Sequence, residues 1–412
     1  MRGISKVRLS TLMTIRNFRR AFLTVLLEGL ESLGNLSGFD LQVFSLTPLM
    51  REEIQDPGLF SKAVSWIVTN HSNSVMELES GSDYVPKVGY VQLDNVKLAA
   101  NPRVSALISG SNFLYRPAGK GNASPVIPIS DPPMSGLLHL RGSKVLIRTK
   151  VTQKIGAGIF VGTDSPHNWY HWLIDTLPAV YLSNFLPEEF SQFPLLIPEK
   201  ALVRRDWIDL LQICKGERRV EIINEHHYSE IGRLVWILGP TARTQPSKEN
   251  GTPQFAMERH AIDKFRNHVL SQLQISVLPN QYPRRIFLAR HSAALRPYNQ
   301  EDLVAVARKY GFECLYQEEL SFKQTATIMQ SAEYLVGPHG AGWGSALFSE
   351  RVKGALIWTW DEAATENWFF NVLAVRGIPF STILTGPGSN DSPYVVSPFE
   401  FERSLRNILG IL

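Results

Sequence analysis

Two short stretches carry side chains spaced for chemistry. In the first, His167, His171 and Asp175 recur every fourth residue, a spacing that stacks them on one face of a helix. Three readings are open. Asp175 and His171 form a reasonable acid–base pair, with Asp175 taking a proton directly or orienting His171 to take it. Two imidazoles and a carboxylate also suit a metal, but no fourth ligand is specified and the spacing is not that of a recognised zinc motif. The third reading is structural: Trp169, Tyr170, Trp172 and Leu173 pack while the polar face bonds to backbone or water.

The second stretch is EYLVGPHGAGWGSALF at 333–348, where an apolar strand enters a loop nearly free of side chains: His339, Gly340, Ala341, Gly342, Trp343, Gly344. Small residues let a ligand approach main-chain N–H groups, and a helix start favours phosphate or another anion. His339 can donate to a phosphoryl oxygen or a sugar hydroxyl. The pattern is neither the dinucleotide fingerprint nor a P-loop, and a tight turn around a packed histidine is the plain alternative. Arg285 and Arg290 bracket one predicted strand end, with Arg296 in the loop beyond, so an anion site at the carboxyl edge of a sheet is expected. Lys323 falls in a first helical turn, where the dipole disfavours a cation; recruitment to a ligand and simple exposure are equal readings. Glu366 and Asn367 open another helix, where they either grip a ribose or donor sugar or start the helix.

The elements that must hold these groups are legible as a rhythm. Up to about residue 150, short runs such as LQVFSL, AVSWIVT, VSALIS and KVLIRTK predict an irregular, strand-rich region after an initial helix, with RPAGKGNASPVIPISDPP as a loop. From about residue 155, strand and helix alternate. IGAGIFVG predicts a strand; Ser165 and Pro166 supply an N-cap and first helical residue; HNWYHWLIDTL continues as helix until Pro178 bends or ends it. TARTQPSKENGTPQ is a polar break, and QFAMERHAIDKFRNHVLSQL predicts a helix after it. A second alternating series runs from RRIFLAR to PFSTIL, with Ser321 and Gln324 at capping-box spacing and GWGSALFS as a helix. The expected organisation is a helix and strand-rich portion over 1–150, an α/β unit over 151–275 and a second over 276–412, in keeping with a length of 412 residues.

Composition narrows the classes. Hydrophobic residues make up 44% and charged residues 19%, as in globular chains and unlike disordered ones. A net charge of +4 without a sustained basic stripe gives no nucleic-acid footprint. Six basic residues precede AFLTVLLEGL near the N-terminus; that run is too short to span a bilayer and lacks a cleavage pattern. A docked amphipathic helix and peripheral contact with an anionic membrane surface are the two readings left. Cys214 and Cys314 suit neither a disulfide framework nor a metal pair, so a reducing, cytoplasmic setting is expected.

NWYHWLIDTLP at 168–178, RRIFLARHSAALRPYNQEDL at 284–303 and SFKQTATIMQSAEYLVGPHGAGWGSALF at 321–348, in that order, resemble glycosyltransferase family 61, the DUF563 capsular-polysaccharide-type enzymes. The resemblance covers roughly residues 155–390. It implies a GT-B-like pair of Rossmann-like domains facing a cleft and an inverting hexosyl- or pentosyltransferase. The implied donor is a nucleotide sugar, UDP-linked, with no cofactor and no obligatory metal; the implied acceptor is a glycan or surface polysaccharide such as capsule. Asp175 and His171 become the candidate catalytic pair, and His167, Trp169 and Trp172 an acceptor-side wall. Arg285, Arg290, Arg296, Lys323, His339, Gly340, Ala341 and Gly342, with Glu366 and Asn367, become the candidate donor contacts. Trp343 and Ser345 depart from the family's frequent aliphatic and asparagine residues. A non-catalytic polysaccharide-binding protein is the alternative.

Overall fold

The computed structural model describes residues 150–411 except 163–167, 203, 225–226, 247–252, 276–280, 292–296, 361–367 and 386–393; before them it describes 88–99, 106–110, 112–115 and seven strand segments between 41 and 148. The expected N-terminal helix, the expected loop after Tyr115, and Ser165, Pro166, His167, Arg296, Glu366 and Asn367 lie outside the described residues.

The architecture is α/β, with two principal sheets. In the larger one, the strands Val151–Phe160, Leu195–Pro198, Val220–Ile223 and Tyr228–Leu238 are parallel and lie in spatial order 3-2-1-4. Tyr228–Leu238 then pairs antiparallel with Gly89–Ala99, and the described strands of the first 150 residues extend the same sheet, except Ala63–Val64, Ile67–His71 and Val75–Glu79, which belong to two smaller sheets. The second sheet is wholly parallel. Its strands, β1 (Arg285–Leu288), β2 (Glu313–Leu315), β3 (Tyr334–Pro338), β4 (Gly354–Trp360) and β5 (Phe380–Thr385), lie in order 2-1-3-4-5. Every residue of β4 is buried, as expected for a central strand covered on both faces. Both orders reverse beside their first strand, and such reversals open a crevice at the carboxyl ends of the strands.

The sheets share one apolar core. It runs from Val235 and Leu177 through Phe265 to Leu347 and Ile357 without a break. The helix Arg259–Leu273 lies in the middle, contributing Ala261, Ile262, Phe265 and Val269, each fully buried. Ile262, Phe265 and Val269 each stabilise the fold by roughly 1.5–3 kcal/mol relative to exposure.

Several expected elements are redrawn. The helix after Val151–Phe160 begins at Trp169 behind the N-cap Asn168, whose side chain accepts from Tyr170 N–H. It does not end at Pro178. Trp172–Thr176 widens into a π turn, and the α-helix resumes as Leu177–Leu182 with Pro178 in its first turn. Proline has no N–H for the carbonyl four residues back, and the wide turn meets that lack without breaking the helix. The polar break is partly a hairpin: Thr241–Pro246 pairs antiparallel with Pro253–Glu258, so the first residues of the expected helix at QFAMER are strand. AVSWIVT divides into two strand segments, Ala63–Val64 and Ile67–His71, in different sheets. GWGSALFS belongs to a 3₁₀ helix, Ala341–Phe348, longer than such helices usually run. The capping box at Ser321 and Gln324 is present.

Candidate active site

His171 Nδ1 and Asp175 Oδ2 lie 2.6 Å apart. A carboxylate only accepts, so the imidazole donates from Nδ1, and in the neutral ring Nε2 is the acceptor nitrogen. Asp175 is 7% exposed and sits inside the π turn. Its backbone carbonyl lies against Gly239, just past the carboxyl end of Tyr228–Leu238, so the pair stands at the reversal point of the larger sheet. Tyr170, fully enclosed, has its hydroxyl pushed well above the ordinary tyrosine range, by burial first and by the nearby Asp175 charge second.

The second half of the site stands at the other reversal point, between β1 and β3. Arg290, just beyond β1, donates from its guanidinium to the His339 carbonyl, just beyond β3. The Gln300 side chain fixes the Arg290 backbone from both sides, accepting from its N–H and donating to its carbonyl, each at 2.8 Å. A methyl group on Gly340 would overlap the Arg290 guanidinium, so this glycine is needed for close approach by a protein side chain. Ala341 and Gly342 form the half-exposed part of the loop. Trp343 Nε1 donates to the Pro338 carbonyl at 3.0 Å, and Gln317 holds both the Gly342 carbonyl and the Ser345 hydroxyl. The two family-divergent positions thus pin the loop.

The halves meet directly. A Cβ on Gly344 would stand 3.4 Å from the Tyr170 ring and 3.6 Å from Leu173, so the loop's helix lies against the helix that carries His171. Tyr170 also meets Phe369 edge-on, with centroids 4.9 Å apart.

Not every expected residue arrives. Arg285 sits at the amino end of β1, opposite Arg290, where it donates to the Tyr310 carbonyl at 2.6 Å and lies over the Tyr334 ring. Five positions of extended chain, about 16 Å, separate the two arginines. Trp172 is core: it has no exposed surface and stacks on Trp207 at 5.6 Å, so it forms no acceptor-side wall. Trp169 keeps part of its surface. Lys323 is exposed on the first turn of Phe322–Ser331, its carbonyl accepting from Thr327. His339 is 2% exposed, edge-on to Phe369 at 4.4 Å, and its backbone N–H donates to the Trp358 carbonyl. Gln300 and Gln317 were missed by sequence reasoning. Gln317 reads as the last residue of a strand FECLYQ, and Gln300 as an ordinary helix-start residue, so neither carried a signal.

Among the described residues, no group of three His, Cys, Asp or Glu side chains is arranged to hold a metal ion. No described helix is long and apolar enough to cross a membrane. No curated protein matches the sequence. A family model, Glycosyltransferase 61, matches residues 169–355, a span that opens on the helix carrying His171 and Asp175 and closes in β4. The chain contains a glycosyltransferase family 61 domain.

Proposed function

We propose that the protein is an inverting glycosyltransferase that moves a sugar from a UDP-linked donor to a hydroxyl of a glycan or surface polysaccharide. The observation that carries this reading is the hydrogen-bonded His171–Asp175 pair, packed one element away from a loop held by Arg290. In a GT-B-like arrangement, the region up to residue 275 takes the acceptor and residues 276–412 take the donor. His171 Nε2 removes the acceptor hydroxyl proton, while Asp175 holds the ring and stabilises its cationic form. The oxygen attacks the anomeric carbon from the face opposite the departing diphosphate, which inverts its configuration. Main-chain N–H groups around Ala341 and Gly342, with the Arg290 charge, stabilise the leaving phosphate oxygens. The chemistry as proposed uses no metal. Unpaired Cys214 and Cys314 are compatible with a reducing compartment such as the cytoplasm.

The test is a panel of nucleotide sugars and oligosaccharide acceptors monitored for nucleotide release. Acceptor-dependent UDP release supports the reading. Saccharide binding without turnover of any donor would replace it with a polysaccharide-binding protein.

A further inference from the structure

A cavity of about 170 Å³ opens where the two halves meet, two residues along the helix from His171. Trp169, Arg204, Asp206 and Trp207 line it from the larger sheet's side, and Gln317, Glu318 and Phe322 from the smaller. Its chemistry differs from that of the Arg290 loop. Trp169 is within 6 Å of both Trp207 and Phe322, centroid to centroid, so the wall carries a cluster of three aromatic rings. Arg204 Nε donates to Asp206 Oδ1 at 3.2 Å, and Glu318 adds a second carboxylate. The wall therefore carries one cation and two anions. A phosphate is repelled there, while a neutral polyhydroxy ligand finds apolar rings for its C–H faces and carboxylate and amide groups for its hydroxyls.

Gln317 gives the cavity a fixed polar group. Its Nε2 donates to the Gly342 carbonyl at 3.1 Å and its Oε1 accepts from Ser345 at 2.9 Å. A primary amide has one more N–H and one more lone pair than these two bonds use. Gln317 thus joins the cavity to the loop at Gly342.

We infer that this cavity is a subsite for a neutral sugar ring of the acceptor, which lies against the partly exposed Trp169 ring, backed by the buried Trp207, and is oriented by Asp206 and Gln317. The label "acceptor" rests on the transferase reading; the binding of a neutral sugar does not. Neutral pyranosides (methyl glucoside, galactoside, mannoside, xyloside and N-acetylglucosaminide) and methyl glucuronide serve as probes for saturation-transfer NMR on the full chain, with and without saturating UDP. At least one neutral probe binds in the presence of UDP and more tightly than the glucuronide. Asp206→Ala and Gln317→Ala each weaken it roughly tenfold or more, and Asp206→Ala leaves UDP affinity as it was. Asp206 is a partly exposed helix-start residue, so its variant tests the site without opening the core. Displacement of the probe by UDP, unchanged binding in both variants, or binding of no probe overturns the subsite. The two ideas fail separately: sugar binding that meets these conditions without UDP release removes the transferase, and UDP release without them removes the subsite.

Discussion

Gly340 has no side chain where the guanidinium of Arg290 lies. The same guanidinium donates to the carbonyl of the preceding residue, His339, so residues 290 and 340 occupy one volume between them. Gly340→Ala forces one of the two to move. The variant is expected to lose donor affinity by about tenfold or more, and Arg290→Ala to do so by a different route, removal of charge. The double variant is expected to fall short of the sum by roughly 0.5–3 kcal/mol, because the overlap vanishes with the arginine. UDP titrations of all four proteins check this; strict additivity would show that the overlap is relieved at no cost.

Asp175→Asn leaves the volume of the pair intact but changes what His171 Nδ1 meets. The amide can present an N–H and favour the tautomer whose Nε2 bears the proton, the wrong one for a base. Transfer is expected to drop by roughly 10²–10⁴ in Asp175→Asn and in His171→Ala, with UDP affinity retained. Wild-type transfer in both variants rejects the pair.

Pro178→Ala returns an N–H to the helix just beyond the π turn. Removing the ring lets an α-helical register compete with the wide turn that holds Asp175. We expect a thermal midpoint near that of the wild type and a fall in transfer, since the carboxylate no longer has a single setting. Lost folding together with lost activity would mean that Pro178 serves the core.

The carboxyl of Glu258, 5% exposed, caps the helix Arg259–Leu273 by accepting from the N–H groups of His260 and Ala261. Burial pushes its pKa above the ordinary value of 4.5, outweighing those two bonds, which pull it down. A carboxyl whose folded value is raised contributes stability that is fully present below the unfolded value and is lost as pH rises through the folded one. Urea unfolding should therefore show stability declining above about pH 4.5, and the decline should be smaller in Glu258→Gln, which keeps an acceptor but carries no charge. Equal pH slopes in the two proteins would show that the capping bonds cancel the burial.

Much of the fold was legible because local signals agree with tertiary placement. The apolar run at β4 is buried throughout, and the Ser321 and Gln324 spacing forms the cap it suggests. The spacing of His171 and Asp175 likewise gave the pair. What sequence did not give was decided by neighbours distant in the chain. Trp169 and Trp172 are equivalent as letters, but Trp207 stacks on one at 14° and leaves part of the other exposed. Arg285 and Arg290 separate because β1 spans only the four residues from Arg285 to Leu288, and strand ends are poorly marked by composition. Gln300 and Gln317 gained their roles from a backbone that folding brings to them.

The π turn has a consequence for how this helix can be inherited. It stores one residue more than an α-helix of the same rise would hold, in effect a tolerated insertion between Asn168 and Leu182. Deleting that residue would let an ordinary α turn replace the wide one while the flanking segments keep their facing. The change would fall on the turn itself, where the Asp175 carboxylate meets His171 and the Asp175 carbonyl lies against Gly239. The extra residue is therefore tied to the setting of the polar pair and not to the packing of Leu177–Leu182.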